Sequence, residues 1–184
     1  MNRKIAIFII SVLMISILYT VFQKSRLAIE KVKLQKNIVE IESNKIPLFE
    51  FKNWDGTTFS KNDLSKEKSI IIVYFDPQCG LCEKSGQLFN RFYKIHNDSE
   101  VLFVTSNTHE KTLNYVERFG LDTIANIRFL HADSDYFFEK FNTSITPTYI
   151  IYNTEKELIK VIDDDVPVKT LLRYIKAAQI NAKE

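Results

Sequence analysis

The chain has 184 residues, a formal net charge of +2, and 45% hydrophobic against 26% charged residues. This is globular composition, too apolar and too aromatic for a disordered segment. The near-neutral balance supplies no basic face for nucleic acid, and two cysteines cannot build the disulfide framework of a small secreted domain.

The N-terminus reads as an anchor. Residues 1–4 form a short basic head with Arg3 and Lys4, and an apolar run follows over 5–22. At about 1.5 Å per residue, roughly 18 helical residues reach about 27 Å, enough for a bilayer core. No small-x-small cleavage site follows, so the pattern predicts an uncleaved signal anchor. A basic head before an apolar run is the usual export signal. Lys24, Arg26, Lys31, Lys33 and Lys36 pull the other way under the positive-inside rule. The reading adopted is an exported C-terminal domain held at the membrane. Residues 23–45 are charged and read as a helical stalk that ends before Pro47, because the residue preceding proline avoids the helical region. The folded domain is assigned to 46–184.

Within that domain, "IPLFEF" and "TTF" flank "KNWDG", in which Asp55-Gly56 marks a hairpin turn. Ser60 and Asp63 have the spacing of a capping box. The β-branched run over 69–75 suits a strand buried on both faces. After it come Cys79 and Cys82, then Leu81, Leu88, Phe89, Phe92 and Ile95 at helical spacing, which predicts a helix to about His96. "EVLFVTS" is a second buried strand, and "HEKTLNYVERFG" an amphipathic helix stopped by Gly120. "IRFL" is a short strand, and "SDYFFEKF" a helix capped by Ser134. "TPTYIIYN" and "KELIKVI" are strands joined by a polar turn over 153–156. The last helix takes Asp165 as cap, carries Pro167 in its first turn and turns Leu171, Leu172 and Ile175 inward. The order is α/β, with helices covering a mixed sheet.

The chemistry rests on "FDPQCGLCEKS" over 75–85. A disulfide between Cys79 and Cys82 closes too short a loop to serve as a staple. A structural metal site wants four ligands, and only His96, His109 and His131 could join the pair, none at a regular spacing. A redox pair fits the strand-to-helix context best. Free backbone N–H groups at the helix start stabilise a thiolate on Cys79. Cys82, about one turn further in, is within reach of a mixed disulfide on Cys79 and can resolve it.

The segment "IIVYFDPQCGLCEKSGQLFNRFY" with the distant "SITPTYIIYN" resembles the thioredoxin superfamily, in particular the membrane-anchored TlpA-like redoxins of bacteria, of AhpC-TSA type. The opening "FEFKNWDGTTFSKNDLSKEKSIIIVYF" resembles their N-terminal hairpin and lead-in strand. The resemblance covers about 46–179. It implies a thioredoxin-like fold, a central mixed sheet covered by helices. It also implies a redox-active disulfide between Cys79 (nucleophile) and Cys82 (resolving), a cis-proline at Pro147, and a substrate-binding backbone at Thr146.

Departures accompany it. The family's buried acid under the second cysteine falls at Val73 or Ser85, and its usual tryptophan at Gln78. Asp76 and Glu83 are the nearby carboxylates, readable as weak proton acceptors or as solvated caps. The central Gly80-Leu81 leaves the direction of electron flow open.

The expected function is a membrane-tethered thiol–disulfide oxidoreductase of the bacterial periplasm or outer face of the cytoplasmic membrane. Its partners are protein thiol and disulfide clients, a membrane electron donor or acceptor, and the bilayer through residues 5–22. It needs no cofactor and no metal, and binds no nucleic acid. The alternative is a thioredoxin-like metal-binding or scaffolding module of the cell envelope.

Overall fold

The computed structural model describes residues 44–92, 95, 97–163 and 167–180, together with 14, 16, 19, 20 and 22–26 nearer the N-terminus. The chain divides into two units, 1–43 and 44–184. In the first, the described residues are helical and exposed. No helix among the described residues is long and apolar enough to cross a membrane. The span expected over 5–22 and the stalk over 23–45 lie largely outside the described residues, and so do His96 and the Asp165 cap.

The second unit is built on a seven-stranded sheet. In chain order its strands are β1 (Glu50–Lys52), β2 (Thr58–Ser60), β3 (Ser69–Tyr74), β4 (Ser99–Thr105), β5 (Ile127–His131), β6 (Thr148–Tyr152) and β7 (Leu158–Ile162). The helices are α1 (Gly80–Arg91), α2 (His109–Phe119), α3 (Ser134–Phe141) and α4 (Val168–Ile180). The spatial order is β2-β1-β5-β4-β3-β6-β7. Strands β3, β4 and β5 run parallel, and the remaining pairings are antiparallel.

β3 sits inside the sheet because every one of its residues is buried. Its side chains alternate between the faces. Ile71 and Val73, with Phe75 just beyond the strand, join a core that also takes Leu88 and Phe89 of α1, Tyr115 and Val116 of α2, and Leu171 and Ile175 of α4. Ile70, Ile72 and Tyr74 join the opposite core with Phe51, Phe59 and Phe137. Each fully buried aliphatic side chain contributes about 1.5–3 kcal/mol, so β3 anchors both layers.

Three helix ends differ from the sequence reading. Pro167 stands just before α4, not in its first turn, and its carbonyl accepts the Thr170 and Leu171 N–H groups at 2.8 and 3.3 Å. α1 ends at Arg91, not near His96, because Phe92 leaves the helical region at φ −112° and ψ 23°. α3 is capped by Asp133, whose extended backbone precedes Ser134 and whose carbonyl accepts the Phe137 N–H at 2.9 Å. Ser134 is the first helical residue instead. The hairpin turn is closed by the Asn53 N–H to Thr57 carbonyl bond at 2.9 Å, with the Asp55 carboxylate accepting from the Thr57 N–H and hydroxyl. The box at Ser60 and Asp63 is formed reciprocally. Gly120 closes α2 at φ +60°, a left-handed position where a Cβ is costly.

Candidate active site

β3 delivers the chain to the site, and α1 carries it away. Phe75 extends the strand, its N–H bonded to the Val104 carbonyl at 3.0 Å. Asp76 then organises the loop. Its carboxylate accepts the Gln78 N–H at 2.8 Å, and its carbonyl accepts the Cys79 N–H at 3.1 Å. Its own N–H points at the Cys82 sulfur, 3.4 Å away. Cys79 is the N-cap of α1, extended at φ −83° and ψ 125°, with no side-chain capping bond of its own. Its carbonyl accepts from the Cys82 and Glu83 N–H groups at 3.0 and 3.2 Å.

The two sulfurs occupy different surroundings. Cys79 is half-buried and Cys82 fully buried, and both are free thiols. Burial pushes the Cys82 thiol up to about 12, against the opposing pull of the Asp76 N–H. Across from the pair, the Thr146–Pro147 peptide bond is cis. The Cys79 sulfur lies 3.9 Å from the Thr146 carbonyl oxygen. Thr146 is half-buried and Pro147 buried. The structure therefore brings Cys79, Cys82 and Thr146-Pro147 together from positions 67 residues apart.

The carboxylates named from sequence are engaged elsewhere. Asp76 caps the loop, as above. Glu83 pairs with Arg118 of α2 at 2.7 and 3.3 Å and so links the two helices. Of the positions where the family carries its acid, Val73 is buried in the core and Ser85 shares a 2.6 Å hydrogen bond with the Tyr149 hydroxyl, both buried. His109 stacks on Trp54 at a centroid distance of 4.6 Å and an interplanar angle of 12°, and His131 stands 6.0 Å from the same indole. Among the described residues, no group of three or more His, Cys, Asp or Glu side chains is placed to hold a metal ion.

Sequence reasoning missed several supporting residues. The Thr148 hydroxyl donates to the Ile145 carbonyl at 2.7 Å and lies 3.2 Å from the Thr143 hydroxyl, pinning the loop before Pro147. Tyr115 donates to the Cys82 carbonyl at 2.6 Å. Thr143 and Thr148 flank "SITP" and are legible as polar residues beside a buried strand. Nothing in the sequence pairs Tyr115 with Cys82, because the contact joins two helices.

Fold and site together define a thioredoxin-like protein with a C-x-x-C pair at a helix start. Three examples stand for the solved structures that share the fold. One is a thioredoxin-like protein of Aeropyrum pernix (15% identity, TM-score 0.63, covering 82% of this chain and 99% of that one). Another is a secreted disulfide oxidoreductase of Mycobacterium tuberculosis (13%, 0.60, 70% and 95%). The third is the exposed lipoprotein thioredoxin of Streptococcus pneumoniae (22%, 0.53, 71% and 98%). No curated protein matches the chain in sequence. The AhpC/TSA family model matches residues 43–162, and the chain belongs to that family.

Proposed function

We propose that the chain is a membrane-tethered thiol–disulfide oxidoreductase acting on protein cysteines. One observation carries this reading: a half-buried sulfur at an uncapped helix start, beside the Thr146 carbonyl, with a second, buried thiol one turn behind it. Cys79 is the attacking sulfur, because it is the more exposed of the two and stands at the start of α1, where a client can reach it. Its thiolate attacks a client disulfide and one client sulfur leaves as thiolate. The Cys82 thiol then loses its proton and displaces the second client sulfur from Cys79. The products are a Cys79–Cys82 disulfide and a client dithiol, and two electrons have passed to the client. The same steps in reverse oxidise a client dithiol.

Thr146 offers its backbone to the client chain beside the cysteine. Leu81, between the two cysteines, is 40% exposed, and Ile145, next to Thr146, is 51% exposed. Exposed apolar groups at these places favour a polypeptide client over a small polar thiol. For location, the apolar run over 5–22 with its basic head supports an anchor and an exported domain. Two proteins of the same fold, described as secreted and as an exposed lipoprotein, support an extracytoplasmic site. Protein clients and a membrane electron donor or acceptor are the partners of this reading.

The test uses two single variants of the full chain, thiols quenched with an alkylating agent, and non-reducing gels. Cys82→Ser should accumulate client proteins as mixed disulfides, and Cys79→Ser should hold almost none. Equal trapping by both, or none by Cys82→Ser, overturns the assigned roles.

A further inference from the structure

The core beneath the redox pair is lined by phenylalanines, with one tyrosine hydroxyl placed against the main chain of the second cysteine. Tyr115 of α2 is only 3% exposed, and its hydroxyl donates to the Cys82 carbonyl at 2.6 Å. In a regular helix that carbonyl belongs to the N–H four residues on, here Gly86. The phenol oxygen also lies close against Gly86, beside the position a Cβ there would occupy. Gly86 makes the approach possible. A Cβ there would lie 2.9 Å from the Tyr115 hydroxyl and 2.7 Å from the Phe119 ring.

The ring itself is fixed from two sides. It packs on Phe75 at a centroid distance of 4.9 Å and on Phe119 at 4.8 Å. Phe75 directly precedes Asp76, whose N–H points at the Cys82 sulfur. Tyr115 thus touches the chain both where it enters the motif and where it leaves. Phe75, Phe89 and Phe103 lie in the same core, and its other buried tyrosine, Tyr149, turns its hydroxyl to Ser85. A buried phenol O–H is tolerated only where it has a partner, and for Tyr115 the partner is the Cys82 carbonyl.

We propose that Tyr115 is a positioning residue for Cys82. Its hydroxyl, seated against the Cys82 carbonyl and the Gly86 backbone, sets where the Cys82 sulfur stands relative to Cys79. This inference rests on the reading of Cys82 as the resolving thiol. The step it governs is the second one, in which the Cys82 sulfur bonds to Cys79, the Cys79–client bond breaks, and the client leaves with the proton. Attack by Cys79 does not depend on the Tyr115 hydroxyl.

Tyr115→Phe keeps the ring and removes only the hydroxyl. The full chain, reduced, is mixed with glutathione disulfide and quenched with acid at intervals, and the Cys79–glutathione adduct is followed by mass. Loss of one neutral hydrogen bond is expected to slow decay of the adduct about fivefold. Its formation rate should stay within about twofold, a margin set by ordinary surface-scale effects. The equilibrium between dithiol and disulfide should move by about the same fivefold factor toward the dithiol. Gly86→Ala presses a methyl group against the same hydroxyl and should slow decay in the same direction. Phe119→Leu, which disturbs the patch without touching the hydroxyl, should lower stability and leave adduct decay unchanged. Equal decay rates in the unaltered chain and Tyr115→Phe overturn the inference, and so does an equal slowing by Phe119→Leu. An unaltered chain that forms no Cys79 adduct overturns the oxidoreductase reading itself, a result separate from either.

Discussion

Cys82 is fully buried, and its thiol is pushed up to about 12, so it is protonated at neutral pH. The consequence for stability has a definite sign. In the unfolded chain the thiol titrates at its ordinary value of 9.0, so between 9 and 12 the folded state holds the proton that the unfolded state has lost. The contribution is fully present below 9.0 and is lost as pH rises toward 12, at up to about 1.4 kcal/mol per pH unit. The reduced chain should therefore lose about 1.4 kcal/mol between pH 8 and pH 10 beyond the change seen in Cys82→Ala. Urea midpoints of the two chains at both values check this. Parallel pH profiles would show that the buried thiol carries no such linkage.

At the scale of elements, the site depends on how closely α2 lies against α1. Gly86 is buried on α1, facing Tyr115 and Phe119 of α2. Replacing it with alanine gains roughly 1 kcal/mol of helix propensity but forces a methyl group to within 2.7 Å of a ring. Such overpacking costs about 1–3 kcal/mol. Both neighbours are buried or half-buried and cannot swing away, so Gly86→Ala should lower stability by about 1 kcal/mol net. A raised melting temperature would show that the helices yield. β3 supplies the second case. Ile71 is 0% exposed and packs with Val101, Phe103 and Ile151 in one core. Ile71→Ala should lower unfolding free energy by about 2–5 kcal/mol, read from denaturant midpoints. A loss under about 1 kcal/mol would mean that the cavity had collapsed.

For the whole molecule, the proposed tether makes a prediction independent of the redox chemistry. The apolar run over 5–22 carries no charged residue, and its transfer into a bilayer core is favourable. The full chain should remain with the membrane after carbonate extraction at alkaline pH, and a chain lacking 1–22 should be released. External protease should digest the domain in cells whose outer permeability barrier has been opened but whose cytoplasmic membrane is intact. Complete protection of the domain there would place it in the cytoplasm and overturn the proposed location.

Much of this molecule was legible in the residues because the signals are local. The buried run over 69–75 announces a central strand, since side chains alternate with period 2 and both faces must be apolar. The lone C-x-x-C at a strand-to-helix junction marks the site, and Gly120 ends its helix, because backbone sterics act within a few residues. Helix ends were less legible. Ser134 and Asp133 are both good caps by type, and only the backbone conformation at Asp133 selects between them. What the sequence could not determine is which side chains meet across elements. The Tyr115 hydroxyl on the Cys82 carbonyl, Glu83 on Arg118 and Ser85 on Tyr149 each depend on the position of a packed helix or sheet. Those positions follow from how whole surfaces fit, and no short stretch of residues contains that information. By itself the sequence determined the order of elements and the place of the two sulfurs. Tertiary packing decided what surrounds each of them: the Thr146 carbonyl beside Cys79, and the Asp76 N–H and the Tyr115 hydroxyl against Cys82.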